Sequence, residues 1–244
     1  MGLLNKIFGQ NSNTEKPNET QPSQQLPPCK SEQELIERFG GNALDKQMDL
    51  GEVIGDNNWN VDMTKGEISF GPNLVFPIQV LGTFSHSSAT WLWAWANTQS
   101  GLSESIMQQA LQLKKYGEEN NVDLLRNDQF AATKNDLHLI GLIASGMFAA
   151  SGYYVADYGQ GAMVVTVKSA QIDKTHKDNH HRILMVFPQL ISLFEMNHRT
   201  AMTNYLSDKG YAISSNETQL TGKKNAQTIT AIFDELHRLV KLNG

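Results

Sequence analysis

Three of the four tryptophans of this 244-residue chain lie within five residues, in the segment Thr90–Asn97. Their strict alternation predicts a β-strand, because successive side chains of a strand point to opposite faces. One face would carry the indole rings of Trp91, Trp93 and Trp95. The other face would be nearly free of bulk, because leucine and alanine alternate with the tryptophans. The chain therefore needs a sheet at its centre, with one aromatic side and one side that accepts close packing.

Two interpretations of these tryptophans are open. In the first, the rings belong to the core, where each buries a large area. In the second, Trp91, Trp93 and Trp95 form an exposed platform that binds a partner, since tryptophan is enriched at the energetic centres of protein interfaces. The number of turns and helices available to cover the sheet favours the core.

The charge of the chain limits its partners. A net charge of −5 and a pI of about 5.8 do not provide the basic face that binds phosphates, so we expect no nucleic-acid partner. Cys29 is the only cysteine, which rules out an intrachain disulfide and fits a reducing compartment. It follows two prolines, and we expect it to be a free surface thiol.

The first 30 residues differ in composition from the rest. Four of the seven prolines lie between residues 10 and 30, among small polar residues. Such a segment buries too little apolar surface to fold. We therefore predict a flexible tail over residues 1–30 and a single domain over residues 31–244. Residues 1–9 carry several large apolar side chains and could make a weak contact with a membrane surface or a partner; a mobile end is the alternative.

No segment has the roughly 20 consecutive apolar residues that cross a bilayer. The best candidate, Leu137–Ala150, is too short and is interrupted by a histidine, a serine and two glycines. We therefore expect no transmembrane span. Because no secretory signal is recognisable at the N terminus, we predict a cytoplasmic protein.

Capping signals and hydrophobic spacing predict the first helices. The capping box Ser31-x-x-Glu34 begins a helix that we expect to break at Gly40–Gly41 and to resume as a second short helix to Leu50. Ser103 is expected to cap the next helix. Gly117 is the expected residue just beyond its C-terminal end.

Three further helices are predicted towards the C terminus. Residues 135–151 are apolar almost all round and form a buried central helix. Pro188 suits the first turn of a helix that ends near Lys209. Asn225 caps a last helix to Leu242, because the apolar residues of this segment recur at spacings of three and four.

Segments in which apolar and polar residues alternate predict the strands. A hairpin covers residues 59–70, and two strands cover residues 75–85 and 90–97. A second hairpin covers residues 153–169, with a glycine-containing turn. Its second strand is rich in β-branched residues, which favour strands.

This order of elements predicts the fold class. Hairpins with flanking helices indicate an α+β fold with an antiparallel sheet, rather than an alternating doubly wound one. The domain would consist of a core over residues 31–170, which carries the tryptophan strand, and a helical C-terminal part over residues 171–244.

The histidines are the first candidates for chemistry. The segment contains His176, His180 and His181. If it were a helix, His176 and His180 would lie on the same face and could form a metal pair. The polar segment around them instead predicts a loop with solvated histidines. The spacing Glu195-x-x-His198 occurs in di-iron bundles, which need a second such motif and two further glutamates. We therefore predict no metal site and no cofactor.

No motif in the sequence specifies a reaction. There is no Gly-x-Ser-x-Gly elbow, phosphate loop or dinucleotide fingerprint. One alternative is a hydrolase in which His86 or His138 lies in a cleft with a carboxylate such as Asp62 or Asp157. An apolar patch or groove without such a cluster would favour a binding function.

Four segments together resemble a known family: Trp59–Asp62, Gly66–Phe70, Leu81–Ser85 and Thr90–Asn97. They are similar to a bacterial family of uncharacterised domain proteins with a Trp-x-Trp-x-Trp-x-Asn signature, over roughly residues 32–170. The resemblance implies no known activity and therefore assigns no catalytic residue.

More loosely, the order of helix, three strands, helix, two strands and helix is similar to secretion-chaperone-like folds. The fourth strand and the C-terminal helices depart from that order. An acidic chain with an aromatic-rich sheet and no recognisable reaction centre favours a non-enzymatic function. We predict a protein that binds another protein, as a chaperone, adaptor or immunity-type factor.

Overall fold

The computed structural model describes residues 27–176 and 179–244 of the chain. Residues 1–26, which include most of the predicted tail and the apolar residues 1–9, lie outside the described part. A short 3-10 helix covers Glu104–Ile106. The other helices and strands follow in this order: α1 (Glu32–Ile54), β1 (Trp59–Asp62), β2 (Glu67–Phe70), β3 (Leu74–Ser85), β4 (Thr90–Trp93), α2 (Gln108–Asn120), α3 (Asp123–Arg126), β5 (Gln129–Ala131), α4 (Lys134–Met147), β6 (Gly152–Asp157), β7 (Gly161–Val167), α5 (Ala170–Asp173), α6 (His180–Leu193), α7 (His198–Asp208), β8 (Ala212–Ser215), β9 (Gln219–Lys224), β10 (Gln227–Phe233) and β11 (Leu239–Asn243).

The fold class is α+β, as predicted, with antiparallel sheets built from hairpins. The larger sheet has seven described strands and is organised around the long strand β3. The first part of β3 pairs with β2, and its last part pairs with β4 on one edge and β7 on the other. A single long strand therefore links the two hairpins that flank it.

Helix α1 is one continuous helix, and the predicted break at Gly40–Gly41 is wrong. The Ser31 hydroxyl caps the helix by accepting a hydrogen bond from the Glu34 N–H at 3.1 Å. A Cβ on Gly41 would lie 2.5 Å from the Tyr205 ring, and one on Gly40 would lie 2.9 Å from a side-chain atom of α1 itself. These glycines mark close packing against α1 rather than a helix end.

The outer edge of strand β6 is closed by a side chain of α1. The Gln47 amide accepts a hydrogen bond from the Tyr153 N–H at 2.9 Å and donates one to the Tyr153 carbonyl at 3.0 Å. A glutamine side chain thus makes the two hydrogen bonds that a neighbouring strand would make at this residue.

The tryptophan strand is shorter than its sequence pattern suggests. Strand β4 ends at Trp93, and Trp95 lies in the turns that follow. Trp91 and Trp93 are fully buried, and their rings meet edge to face with centroids 5.4 Å apart. The Trp93 indole N–H donates to the Leu124 carbonyl at 3.1 Å. These two rings belong to the core, so an exposed platform of all three tryptophans does not form in this structure.

Trp93→Ala should destabilise the protein strongly, because it removes a large buried ring and leaves the Leu124 carbonyl without its donor. Such truncations cost about 3–5 kcal/mol in the free energy of unfolding. Chemical denaturation of the purified variant measures the loss, with Trp93→Phe as an intermediate case. A loss below about 1 kcal/mol would contradict a core role.

Two helix boundaries also differ from the prediction. Helix α2 continues past Gly117 to Asn120 and is capped by Asn121, which adopts the left-handed conformation with a φ of 57°. A Cβ on Gly117 would lie 2.7 Å from Leu125, so close packing of α3 explains this glycine. Helix α6 begins at His180, and Pro188 lies inside it rather than in its first turn.

The C-terminal helix predicted over Asn225–Leu242 is wrong, because the segment forms two strands of a second sheet. This sheet has the order β11-β10-β9-β8 and is antiparallel throughout. Asn225 has a φ of 53° and lies in the tight turn between β9 and β10. Ile229, Ala231 and Phe233 are buried, which is the alternation of a strand. The C-terminal part is therefore helical only as far as Asp208.

Cys29 is buried rather than a surface thiol. Its backbone N–H donates to the Tyr116 hydroxyl at 2.7 Å, and burial raises the pKa of the thiol. The described end of the predicted tail is therefore packed against α2.

A network of buried charges joins α1 to α6 and α7. The Arg182 guanidinium contacts Asp45 at 3.3 Å, contacts Asp49 more closely, and reaches Glu52 at 2.9 Å. The Lys209 ammonium lies 2.5 Å from the other oxygen of Asp45. Asp45, Asp49, Arg182 and Lys209 are all buried, so each of these charges depends on its partners for stability.

The same network holds a tyrosine. The Tyr205 hydroxyl donates to Asp45 at 2.9 Å, and burial raises the pKa of this phenol far above its usual range. Burial acts to lower the pKa of Arg182, but the hydrogen bond to Asp49 and the charges of Asp49, Asp45 and Glu52 together outweigh it and raise that pKa. Both groups therefore keep their protons at neutral pH.

Asp45→Ala should lower the free energy of unfolding by about 3–5 kcal/mol, because it removes the carboxylate that lies between two buried cations. Glu119→Ala is the control, since Glu119 pairs with Lys115 on the surface. Its cost should stay below about 0.5 kcal/mol. Urea denaturation compares the two. Equal losses would show that the buried network does not stabilise the fold.

We expect residues 31–244 to unfold as one unit, because the hydrophobic core runs from α1 through both sheets. All four tryptophans lie between residues 59 and 95, so their fluorescence reports the seven-stranded sheet alone. Circular dichroism in the far ultraviolet reports the whole chain. The two probes should give the same urea midpoint. Separate midpoints would mean that the C-terminal part unfolds independently.

Candidate functional site

An apolar groove lies on the seven-stranded sheet and is the first candidate site. Its volume is about 160 Å³. It is bounded by residues of the β1–β2 turn, of β3 and β7, and of the turns that follow β4. These lining residues are Met63, Val80, Gly82, Thr83, Ala94, Asn97, Ser100, Leu102 and Met163.

A β-bulge in β3 builds the floor of this groove. The register between β3 and β7 shifts between Val80 and Gly82, so one extra residue, Leu81, is accommodated there. Val80 and Thr83 are three residues apart and would point to opposite faces of a regular strand. The bulge brings them to the same face, beside Met163, which pairs with Thr83. The Leu81 carbonyl accepts a hydrogen bond from the Ala94 N–H at 2.8 Å.

Gly82 allows the tryptophan strand to support the sheet under the groove. A Cβ on Gly82 would lie 2.5 Å from the Trp91 ring and 2.5 Å from the Leu92 carbonyl oxygen. No side chain therefore fits at this position while Trp91 keeps its place. The small-residue side of the tryptophan strand, predicted to accept close packing, contributes Ala94 to the groove.

The side chains that line the groove are either apolar or neutral and polar. None of its lining side chains is ionisable, so the lining itself supplies no general acid or base at neutral pH. The lining also carries the hydroxyls of Thr83 and Ser100 and the amide of Asn97, which can exchange hydrogen bonds with a ligand. Met63 and Met163 supply flexible apolar surface, which adapts to different shapes.

Trp95 is half-buried near the start of the chain segment that leads to α2. The Lys114 ammonium lies 4.4 Å from the centroid of its ring, a cation–π contact. Its indole nitrogen is buried without a hydrogen-bond partner in the described part of the chain. Of the three tryptophans predicted as a binding surface, Trp95 alone has a partly accessible side chain.

The two histidines named for a hydrolase, His86 and His138, have different hydrogen-bond partners. His86 lies 3.1 Å from Asp157, one of the carboxylates that the sequence suggested. The pKa of Asp157 is lowered, first by the backbone N–H of Gly159 and then by His86. His138 contacts the Tyr153 hydroxyl at 2.8 Å, and burial lowers the pKa of this histidine. Among the described residues, no serine, threonine or cysteine hydrogen-bonds to either ring.

His176 and His180, from the cluster predicted to be a solvated loop, and His198, from the Glu195-x-x-His198 spacing, lie in different environments. His176 is half-buried, with its Nδ1 atom 2.5 Å from Asp49. His180 is buried and contacts the Tyr211 hydroxyl at 3.1 Å. His198 accepts a hydrogen bond from the Leu239 N–H at 2.9 Å. Over residues 27–176 and 179–244, no group of three or more potential ligands could hold a metal ion.

Sequence reasoning missed the Asp49–His176 pair and the buried network beside it. The available signal was the spacing Asp45, Asp49 and Glu52, which places three carboxylates on one face of α1. Their partners, Arg182 and His176, lie more than 120 residues further along the chain. No local pattern indicates a contact over that separation.

Fold and groove together define an α+β domain with an apolar concavity on its sheet. Residues 33–170 match the Family of unknown function (DUF6882), and the chain belongs to this family. The match runs from α1 to the end of the seven-stranded sheet and includes every residue of the groove. It confirms the expectation of an uncharacterised family.

No curated protein and no solved structure matches the chain. No helix among the described residues could cross a membrane.

Proposed function

We propose that this protein acts by binding another protein, and that the groove receives an apolar side chain of that partner. The observation that carries the proposal is the chemistry of the groove, whose lining is mostly apolar and carries no ionisable side chain. Protein interfaces commonly centre on one apolar anchor in a pocket, surrounded by polar groups.

The size of the groove suits a single anchor residue. A cavity of about 150 Å³ accommodates a benzene ring, and the groove measures about 160 Å³. A phenylalanine, leucine or methionine side chain therefore fits. The polar groups of Thr83, Asn97 and Ser100 can bind the backbone of the segment that carries the anchor.

The buried tryptophans that pack behind the groove suit a recognition site. Trp91 and Trp93 are buried and hold their rings in one arrangement. A rigid floor reduces the entropy lost when a partner binds. We propose a chaperone, an adaptor or an immunity-type factor, and the identity of the captured partner distinguishes these roles. We propose a cytoplasmic location for this activity.

A hydrolase is the competing function, and one observation bears on it. The His86–Asp157 pair has the contact of a histidine with an orienting carboxylate. The neighbouring hydroxyls of Ser85 and Ser87 hydrogen-bond to each other at 3.1 Å rather than to His86. Without a nucleophile held by the histidine, the pair is less suited to acyl transfer than the groove is to binding.

Thr83→Arg should abolish partner binding, because it places a charged side chain in the apolar groove. Thr228→Arg is the matched control, since Thr228 is exposed on the second sheet. Both variants and the wild type are used as bait, and captured proteins are quantified by mass spectrometry. A specific partner should be captured by the wild type and by Thr228→Arg, and should be lost with Thr83→Arg.

The purified partner is then titrated against each variant. Thr83→Arg should raise the Kd, and so weaken binding, by about tenfold or more. Circular dichroism checks that the variant is folded, and Met63→Asp on the rim provides a second, more exposed substitution. Equal capture by both arginine variants would show that the groove is not the binding site.

A further inference from the structure

Residues 1–8, the N-terminal segment, carry a cluster of large apolar side chains. They are Leu3, Leu4, Ile7 and Phe8. Two pairs among them are four positions apart, a spacing that predicts one apolar face in a helical turn. Phe8 is the only aromatic residue among residues 1–26, and residues 9–25 carry no large apolar side chain. The sequence thus separates this apolar segment from the described domain by a polar linker, residues 9–26.

The chain enters the described domain beside the C-terminal half of α2. The Cys29 N–H donates a hydrogen bond to the Tyr116 hydroxyl at 2.7 Å. The Lys30 ammonium donates one to the side-chain oxygen of Asn120 at 3.3 Å. Because these contacts hold residues 29 and 30 on α2, the linker is attached at a defined place next to Tyr116.

The same helix borders the groove at two places. Near its start, the Gln109 N–H donates to the side-chain oxygen of Gln79 at 3.2 Å, and Gln79 directly precedes a lining residue of β3. Further along, the Lys114 ammonium lies 4.4 Å from the centroid of the Trp95 ring, and Trp95 directly follows a lining residue. Lys114 is separated from Tyr116 by about 3 Å of helix rise. The linker is therefore attached close to the wall of the groove.

The linker is long enough to bring Phe8 to the groove. Between Tyr116 and Gln109 the helix rises by about 11 Å, which spans the border of the groove from one contact past the other. A random chain with the 18 residues of the linker has an r.m.s. end-to-end distance of about 24 Å. Phe8 can thus lie in the groove without any movement of α2.

We propose that the N-terminal segment occupies the groove of its own chain when no partner is bound, with the Phe8 ring as the anchor. The groove of about 160 Å³ accepts one such ring, since a cavity of about 150 Å³ holds benzene. Met63, 37% exposed at the groove, offers apolar surface to the neighbouring leucines and isoleucine. This docking rests on the proposed role of the groove as the partner site and is autoinhibitory, because a partner must displace the segment.

The tether makes a weak contact sufficient. A short flexible linker gives the tethered group a local concentration on the order of millimolar. A segment with a Kd at or below about 1 mM therefore fills the groove for most of the time. The apparent affinity of a partner falls by the fraction of groove that is left open.

The first test observes the methionine methyl signals of the full chain by NMR. Phe8→Ala should move the signals of Met63 and Met163, because both line the groove and lose the ring current of the anchor. The signal of Met185, which is exposed on α6, should stay in place. Leu236→Ala removes an exposed apolar side chain of the second sheet and is the control that should move neither groove signal.

A synthetic peptide of residues 1–10 then tests the contact without any partner. Added to the full-length Phe8→Ala variant, it should return both groove signals to their wild-type positions, with saturation and a Kd at or below about 1 mM. The same peptide with alanine in place of Phe8 should not. Thr83→Arg, combined with Phe8→Ala, should abolish saturable binding because its charged side chain enters the groove.

The captured partner tests the autoinhibition. Phe8→Ala should lower the Kd of the partner by about threefold to tenfold, because the groove no longer has to be vacated. Leu236→Ala should leave that Kd unchanged. If Thr83→Arg abolishes partner capture while Phe8→Ala changes neither the Kd nor the methyl signals, the proposed function stands and the docking is refuted.

Three other results would also overturn the docking. One is a peptide that causes no saturable shift of the groove signals. Another is a dependence of the wild-type groove signals on protein concentration, which would assign the anchor to a second copy of the chain. The third is unmoved groove signals in Phe8→Ala together with loss of binding to phosphatidylglycerol vesicles, which would assign the segment to a membrane surface.

Discussion

The contact of Arg182 with the aspartates of α1 couples the two parts of this chain. Asp45 and Asp49 belong to the segment that defines the family, whereas Arg182 and Lys209 lie beyond it. Buried carboxylates are stable only with their counter-charges in place. The C-terminal helices therefore complete the core of the family domain in this protein, and the second sheet packs with them into the same hydrophobic cluster.

A second constraint arises from the length of β3. This strand pairs with three others, and one extra residue near its middle changes which side chains face the groove. Gly82 next to the bulge lets the Trp91 ring approach the backbone. The groove is thus a product of backbone irregularity and of aromatic packing behind it. Its walls come from turns, which can differ in sequence while the floor stays the same.

The elements predicted well from the sequence are those whose signal is local. The hairpins of the larger sheet and the cap at Ser31 follow from alternation and from side-chain hydrogen bonds. The helix expected over Asn225–Leu242 was wrong because its apolar residues satisfy both helical and strand spacing, and the turn at Asn225 decides between them. The groove and the buried charge network each join residues distant in sequence, and no periodicity indicates such contacts.

Strand β6 lies at one edge of the larger sheet, where unpaired backbone groups would ordinarily recruit a strand from another molecule. The amide of Gln47 occupies the N–H and carbonyl of Tyr153 at that edge. Because Gln47 is part of α1, these two backbone groups stay occupied for as long as the helix remains docked on the sheet. Loss of helix docking would expose a template for intermolecular pairing, so the packing of α1 also protects the protein from aggregation.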